Sequence, residues 1–571
     1  MALALLVQRH YQHLQFVKLL PPQDFGAMRM PRPKGWAARN FPDGIAFEEP
    51  AGRTPARRLE IWQAHSPVFQ SPLEYLMRSG ALHFGEAAAF LAGGSSDDAR
   101  SLRAMHTVTI AGWPGILLEQ TRDLRPEGAS RLTPWKHILA CAILPGSRAI
   151  VLRLEGPGQL TAADDDLVRR MAQALQLVDF APPQPLGPVG LPHGIRIGLP
   201  PALVGSPRRQ PLQESHTALL MHGSAWLSVD LVSCTIMPGD RIETFASLLL
   251  FRDPRFRAAE IRRLDATTWS CRRRDEALLP AIAYLRTHAD GRALLADFRW
   301  VGPGSTTAAD YAWVDAVWQL IAGKIEFLDR SPSPAFLVQA GAKAVARLPS
   351  DLSALIDNED MNSQWQWYRE SPSQQALTRI DYRLDPQSLQ GFVDTSHSPP
   401  LSDGPQQTCR WTIARDSAGL QYEYSAIRPP ESLSQETRIA AGRFQSVISV
   451  NGAAIGGVGG PLPGNFVPGP LLAHALSRFP HNPLILTTDS ILNPADAASP
   501  DLLRLTIEPA NDSPKVLATT QPQKLRCWKL TLNGASTSMR WYFDDTGQLY
   551  SISFAGDVHL RRLNIEEWQE D

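Results

Sequence analysis

Several short stretches hold residue types that could do chemistry. Asn451–Pro470 (NGAAIGGVGGPLPGNFVPGP) has the glycines of a phosphate cradle. It lacks the GKS or GKT ending of a P-loop and a clean GxGxxG between strand and helix, so it reads as a loop or a lid over a sheet. Gly93–Asp97 (GGSSD) approaches the GxSxG of a serine nucleophile and misses the last glycine. It reads as a loop and N-cap before a helix over Asp98–Met105. Asp164-Asp165-Asp166 offers paired carboxylates, but three acids in the first turn of a helix are explained by the helix dipole. Asp357–Asp360 (DNED) lacks the ligand spacing and the glycine of an EF-hand loop. Arg272-Arg273-Arg274 would grip an anion, yet Asp275-Glu276 follows directly and a solvated turn is the simpler reading.

Metal chemistry has no better support. His10 and His13, His216 and His222, and His474 and His481 stand apart from any HExxH pattern or carboxylate at ligand spacing. The five cysteines, Cys141, Cys234, Cys271, Cys409 and Cys527, form no CxxC pair. Their odd number and wide scatter argue against a disulfide framework and suit small buried hydrophobes. The sequence therefore offers no catalytic residue, no metal site and no cofactor. A hydrolase whose site is assembled from distant residues stays open as the alternative, since catalytic groups meet by folding.

The elements that must position these residues follow from composition and pattern. With 571 residues, three or four domains are expected, and 43% hydrophobic against 20% charged residues lets each bury a core. Lys+Arg at 56 against Asp+Glu at 57 leaves no basic field for nucleic acid. The 48 prolines and 40 glycines suit strands and turns better than a helical bundle. Ala2–Val7 is apolar but too short to span ~30 Å of hydrocarbon. With Gln8–Leu20 it is expected to form an amphipathic helix or stalk over 1–32. Two readings stand: an ordinary N-terminal helix, or the remainder of a membrane anchor.

Residues 156–164 (GPGQLTAAD) and 302–310 (GPGSTTAAD) differ at two positions and lie 146 residues apart. Each follows an apolar strand, Ala149–Leu154 or Ala293–Val301, which Gly-Pro-Gly breaks. Thr161 or Thr307 then caps a helix with Asp164 or Asp310 three residues on. Leu167, Met171, Leu175 and Val178 share one face of the first helix, and Tyr311, Val314, Trp318 and Ile321 one face of the second. Pro42–Pro50 and Pro192–Pro200 share a second pattern, PxGIx followed by an apolar residue, and read as the first strand of each copy. Two matches in the same order predict a duplicated module over 33–180 and 186–329, with strands at His106–Ala111, Ala225–Cys234 and Thr267–Arg272.

The lead Pro33-Lys34-Gly35-Trp36, the long strands late in each copy and the closing helix resemble PsbP-type modules. The resemblance implies an antiparallel sheet flanked by helices, used as an accessory or binding domain without catalytic groups.

In 335–571, Ala335–Ile356 reads as a helix with Phe336, Val338, Ala342, Val345 and Leu348 apolar. Period-two strands follow at Leu377–Leu384, Thr408–Ala414, Leu420–Ile427, Arg443–Val450, Leu502–Ile507, Leu525–Leu532, Ser538–Phe543, Leu549–Phe554 and Val558–Leu563. The last four form a meander, and a helix over Pro470–Phe479 interrupts the sheet. A curled sheet with an inserted helix resembles the half-barrel of LolA-type lipoprotein carriers. That resemblance implies an apolar ligand such as a lipid, lined by Trp365, Trp367, Tyr368, Trp411, Trp528, Trp541 and Tyr542. Ordinary sheet packing explains the same aromatics.

The expectation is thus an α+β chain of tandem antiparallel-sheet/helix modules followed by a half-barrel-like sheet. The function it suggests is a non-catalytic binding, carrier or scaffold protein, envelope-associated or cytoplasmic, with an apolar or lipid ligand and a peripheral or N-terminal membrane contact as candidate partners.

Overall fold

The computed structural model describes residues 17–562 except 42–43, 51–56, 66–70, 80, 83–89, 91–99, 125–132, 146–147, 159–160, 179, 207–211, 223–224, 238–239, 241–244, 246–257, 274–280, 302–307, 330–331, 357–361, 370, 386, 398–406, 415–419, 429–432, 451, 491–501, 512–524 and 555–557. The GGSSD and DNED stretches, His10, His13 and most of the N-terminal helix expected over Gln8–Leu20 lie outside the described residues.

Antiparallel sheets dominate, with helices packed on their faces. A seven-stranded sheet runs Ala37–Phe41, Gly44–Glu48, Arg58–His65, Arg148–Pro157, Thr133–Leu144, Trp113–Leu124, Arg100–Ile110. An eight-stranded sheet runs Gln184–Pro185, Val204–Gly205, Ser215–His222, Ala225–Thr235, Arg292–Trp300, Ala281–Thr287, Thr268–Arg273, Ala258–Arg263. Its last seven positions follow the same chain order as the first sheet. In each case a hairpin before the sheet joins the short strand after the closing helix. Met28–Met30 pairs with Gln176–Leu177, and Ile195–Ile197 pairs with Ile325–Phe327.

Alternation explains the layers. In Thr133–Leu144, Ile138, Ala140 and Ala142 pack with Leu167, Val168 and Met171 of helix Ala162–Ala174. Leu139 and Cys141 face the other way, with Leu73 and Leu76 of helix Pro72–Arg78. In the second sheet, Leu294, Ala296 and Phe298 pack with Val314, Trp318 and Ile321 of helix Ala308–Ala322.

Several expectations need correction. Gln23–Phe25 and Met28–Met30 form a hairpin, and Met28 and Met30 pack into the core beside the seven-stranded sheet, so this stretch is not a stalk. Buried Met28 and Met30 alternate with exposed Arg29, a strand pattern. The Pro42 and Pro192 matches do not mark equivalent strands: Gly44–Glu48 belongs to the large sheet and Ile195–Ile197 to the small one. The second match owes its shape to a local turn, where His193 and Gly194 both take positive φ. Arg100–Ile110 is one strand, so no helix spans Arg100–Met105. Helix Ala162–Ala174 ends before Val178, which is exposed.

The third sheet has fourteen strands. It starts at Ala453–Pro461 and steps back strand by strand to Asn362–Arg369. There it meets Val558–Arg562 and steps back again to Leu484–Thr488. The Gly-rich Asn451–Pro470 stretch is thus largely an end strand rather than a lid: Ala453–Pro461 pairs with Arg443–Val450. Helix Leu472–Arg478, preceded by a 3-10 turn at Gly469–Leu471, packs Leu472, Ala475 and Leu476 into the sheet. Helix Pro334–Val345 is shorter than expected and offset by one residue in its buried face. Leu337, Gly341 and Ala344 point inward, whereas Phe336 is 61% exposed. No helix among the described residues is long and apolar enough to cross a membrane.

Candidate functional site

At one edge of the fourteen-stranded sheet a carboxylate, Asp489, is only 1% exposed. It follows Leu484–Thr488 (LILTT), a strand buried at every position. Gly469 lies hard against Ser490: a methyl group there would come within 2.3 Å of the Ser490 carbonyl oxygen. That approach brings the Gly469 N–H to donate to Asp489 Oδ1 at 2.9 Å. The Tyr422 hydroxyl, from strand Tyr422–Arg428, donates to Oδ2 at 2.7 Å. Ser490 Oγ stands 3.4 Å from the same oxygen. Gln435, from Leu433–Ala440, donates through Nε2 to the Asp489 carbonyl at 3.1 Å. The Tyr422 ring stacks on Tyr424 at 6.5 Å, and the Tyr424 hydroxyl lies 3.4 Å from Cys409 Sγ.

Burial dominates the electrostatics. It pushes the Asp489 carboxyl up to about 6, against the opposing pull of the bonds from Gly469 and Tyr422. It also raises the Tyr422 phenol well above its ordinary range. A carboxyl of this kind holds or releases a proton near pH 6. Its partners, a backbone amide, a phenol and an alcohol, give it the geometry of a latch. It ties the 3-10 turn and three strands of the sheet together. Among the described residues no three His, Cys, Asp or Glu side chains are placed to hold a metal ion.

The aromatics expected to line a cavity are divided. Trp528 and Trp541 face each other in register and pack with Leu472, Leu476 and Phe479. Trp411 lies in a separate cluster with Tyr422 and Tyr424, its ring over Gly391, where a methyl group would meet it at 1.9 Å. Tyr542 is buried on the face opposite Trp541, as neighbouring strand residues must be. Trp365 and Trp367 stand opposite Arg562 and Leu560 in register, and their side chains, with that of Tyr368, lie outside the described residues.

No family model matches the chain, and no curated protein matches it either.

Among the described residues a nucleophile and base approach each other at Ser553 Oγ and His559 Nδ1, 2.8 Å apart on paired strands. Their other register neighbours are Arg540 and Tyr368. His481 Nε2 meets the Cys527 carbonyl at 3.0 Å. Arg272 is no solvated turn residue: it sits in a strand, pairs with Asp315 at 3.2 Å and covers the Tyr311 ring.

Buried charges also join the sheets. Arg299 lies between Asp297 (3.1 Å) and Glu74 of helix Pro72–Arg78 (2.5 Å), so the second sheet is tied to the helix that packs on the first. Toward the fourteen-stranded sheet, Ser536 donates to Asp230 at 2.6 Å, and Lys529 pairs with Glu214 at 2.8 Å. Arg504 pairs with Asp240 at 3.0 Å, and the Thr235 N–H donates to Asn533 at 2.7 Å.

Asp489 escaped sequence reasoning because its partners come from residues 422, 435 and 469, far away in the chain. One signal was present: an unbroken apolar run, Leu484–Leu486, leading through two threonines to a carboxylate.

Proposed function

We propose that the chain is a non-catalytic scaffold: two copies of one α+β module, docked in series onto a large curled sheet, that together present a fixed surface to other molecules. The observation that carries this reading is what covers the face of the fourteen-stranded sheet beneath helix Leu472–Arg478. Leu472, Leu476 and Phe479 cover it with the chain's own side chains, against Trp528 and Trp541. A carrier needs that space for its ligand. The module duplication rests on the shared strand order and on the common use of Asp164 and Asp310. Asp164 bonds Lys136 at 2.9 Å, and Asp310 stands 3.4 Å from His222, so each acid ties the start of its helix to the sheet below.

The test against the hydrolase alternative is a screen of the intact chain on ester, phosphoester and peptide substrates, with Ser553→Ala beside it. A scaffold turns over none of them. Turnover abolished by Ser553→Ala would replace this reading with the hydrolase.

A further inference from the structure

Most sheet edges in this molecule carry a device against pairing with another chain. Ala37–Phe41 carries Arg39. Arg100–Ile110 carries exposed Arg103 and a register shift at Leu102/Ala104. Gln184–Pro185 is two residues long and ends in proline. Ala258–Arg263 carries exposed Arg262 and Arg263, with a shift at Ala258/Glu260. Leu484–Thr488 is covered by the chain itself: the Val467 N–H donates to the Thr487 carbonyl at 2.8 Å, and the Thr487 N–H to the Asn465 carbonyl at 3.0 Å.

Ala453–Pro461 (AAIGGVGGP) is different. It has no charged residue, and its proline comes only at the last position. Among the described residues it pairs on one side alone, with Arg443–Val450. Every described residue along it is exposed or half-exposed. After a register shift near Ile448/Ser449, Gly456–Pro461 runs in regular register.

The sequence of that regular run says what fits it. Gly456-Gly457-Val458-Gly459-Gly460 is a palindrome. Turned antiparallel on itself about Val458, it sets glycine against glycine and valine against valine. Side chains then offer no steric obstacle, and the backbone groups do the pairing. The nearest charge, Arg443, stands beside Pro461 at one end of the strand. The two-fold would set Pro461 opposite Ile455 of the second copy, with Arg443 one strand further out, so the two Arg443 residues lie about 20 Å apart along the strand direction at ~3.3 Å per residue. No like charges meet.

We propose that Gly456–Gly460 is a self-complementary edge through which two copies of this chain pair as antiparallel strands about a two-fold axis at Val458. Such an axis closes on itself, so the assembly stops at a dimer. The proposal stands whether or not the scaffold reading holds.

The experiment is sedimentation velocity on the full chain across a concentration series, with amide hydrogen exchange read over residues 453–461. The expected result is a monomer–dimer equilibrium in which the Gly456–Gly460 amides slow as the dimer fills. Gly457→Ala should keep the dimer, since a methyl group there makes only ordinary contacts, the nearest at 3.4 Å. Gly457→Lys should weaken it about tenfold or more, as an edge lysine does. Equal thermal midpoints would show that both variants fold. If Gly457→Lys fails to fold, exchange on the unmodified chain still decides. A chain that is monomeric throughout, a dimer without added protection at Gly456–Gly460, or a dimer that folded Gly457→Lys leaves intact would each overturn the proposal.

Discussion

The Tyr422 hydroxyl donates to Asp489 Oδ2 across 2.7 Å, where both side chains are cut off from solvent. This pair sets a pH dependence whose sign is fixed. The folded carboxyl titrates near 6 and the unfolded one near 3.8, so the folded chain holds the extra proton between them. Its contribution is full below pH 3.8 and is lost as pH rises through 6, about 3 kcal/mol in all. Asp489→Asn removes that titration while keeping an acceptor for Gly469. Urea midpoints across this range should show a smaller fall with pH for Asp489→Asn than for the unmodified chain. Parallel profiles would contradict the assignment.

Removing Arg299 takes its guanidinium from Glu74 and Asp297 in the buried joint between the first two sheets. Arg299→Met is expected to cost about 3–5 kcal/mol, since both carboxylates stay buried and lose that cation. Thermal unfolding measures the loss. A change under ~1 kcal/mol would mean that the joint is solvated.

Gly341 offers a test in which two effects oppose each other. Helix propensity alone favours Gly341→Ala by ~1 kcal/mol. Helix Pro334–Val345, however, lies so close to Leu484–Thr488 that the new methyl group would sit 2.0 Å from the Ile485 carbonyl oxygen. Overpacking should win, with a net loss of about 1–3 kcal/mol in chemical denaturation. A stabilised variant would show that the helix packs more loosely.

The repeated helix starts should respond unequally. Asp164 is fully buried and receives Lys136, Arg57 and the Thr161 cap, whereas the Asp310 side chain is about a quarter exposed beside His222. Asp164→Ala should therefore lower the thermal midpoint further than Asp310→Ala. Acid should also weaken the Asp164 tie. Its folded carboxyl lies below the usual 3.8 despite burial, held down by Thr161 and Lys136, so its contribution is lost as pH falls through that lowered value.

How much of this was legible beforehand depended on local pattern. Ser538–Phe543 and Leu549–Phe554 were read to the residue because period-two alternation and tight turns at Asn533-Gly534 and Asp544–Gly547 bound them. Leu484–Thr488 and Ala453–Pro461 went unread. The first is buried on both faces and does not alternate, and the second has four glycines and little side-chain signal. The aromatic lining grouped residues by type, but Trp541 and Tyr542 are neighbours in one strand and must face apart. Asp489 and the Arg299 joint depend on contacts between distant segments, which no local spacing records.

The scaffold account turns most directly on whether the helix-covered face of the fourteen-stranded sheet holds a ligand in solution. Native mass spectrometry of the intact protein, followed by organic extraction, reads this. The account predicts the bare chain mass of 62.9 kDa, or a whole multiple of it, and an empty extract. A lipid or other apolar molecule carried through purification in proportion to the chain would contradict it and restore the carrier.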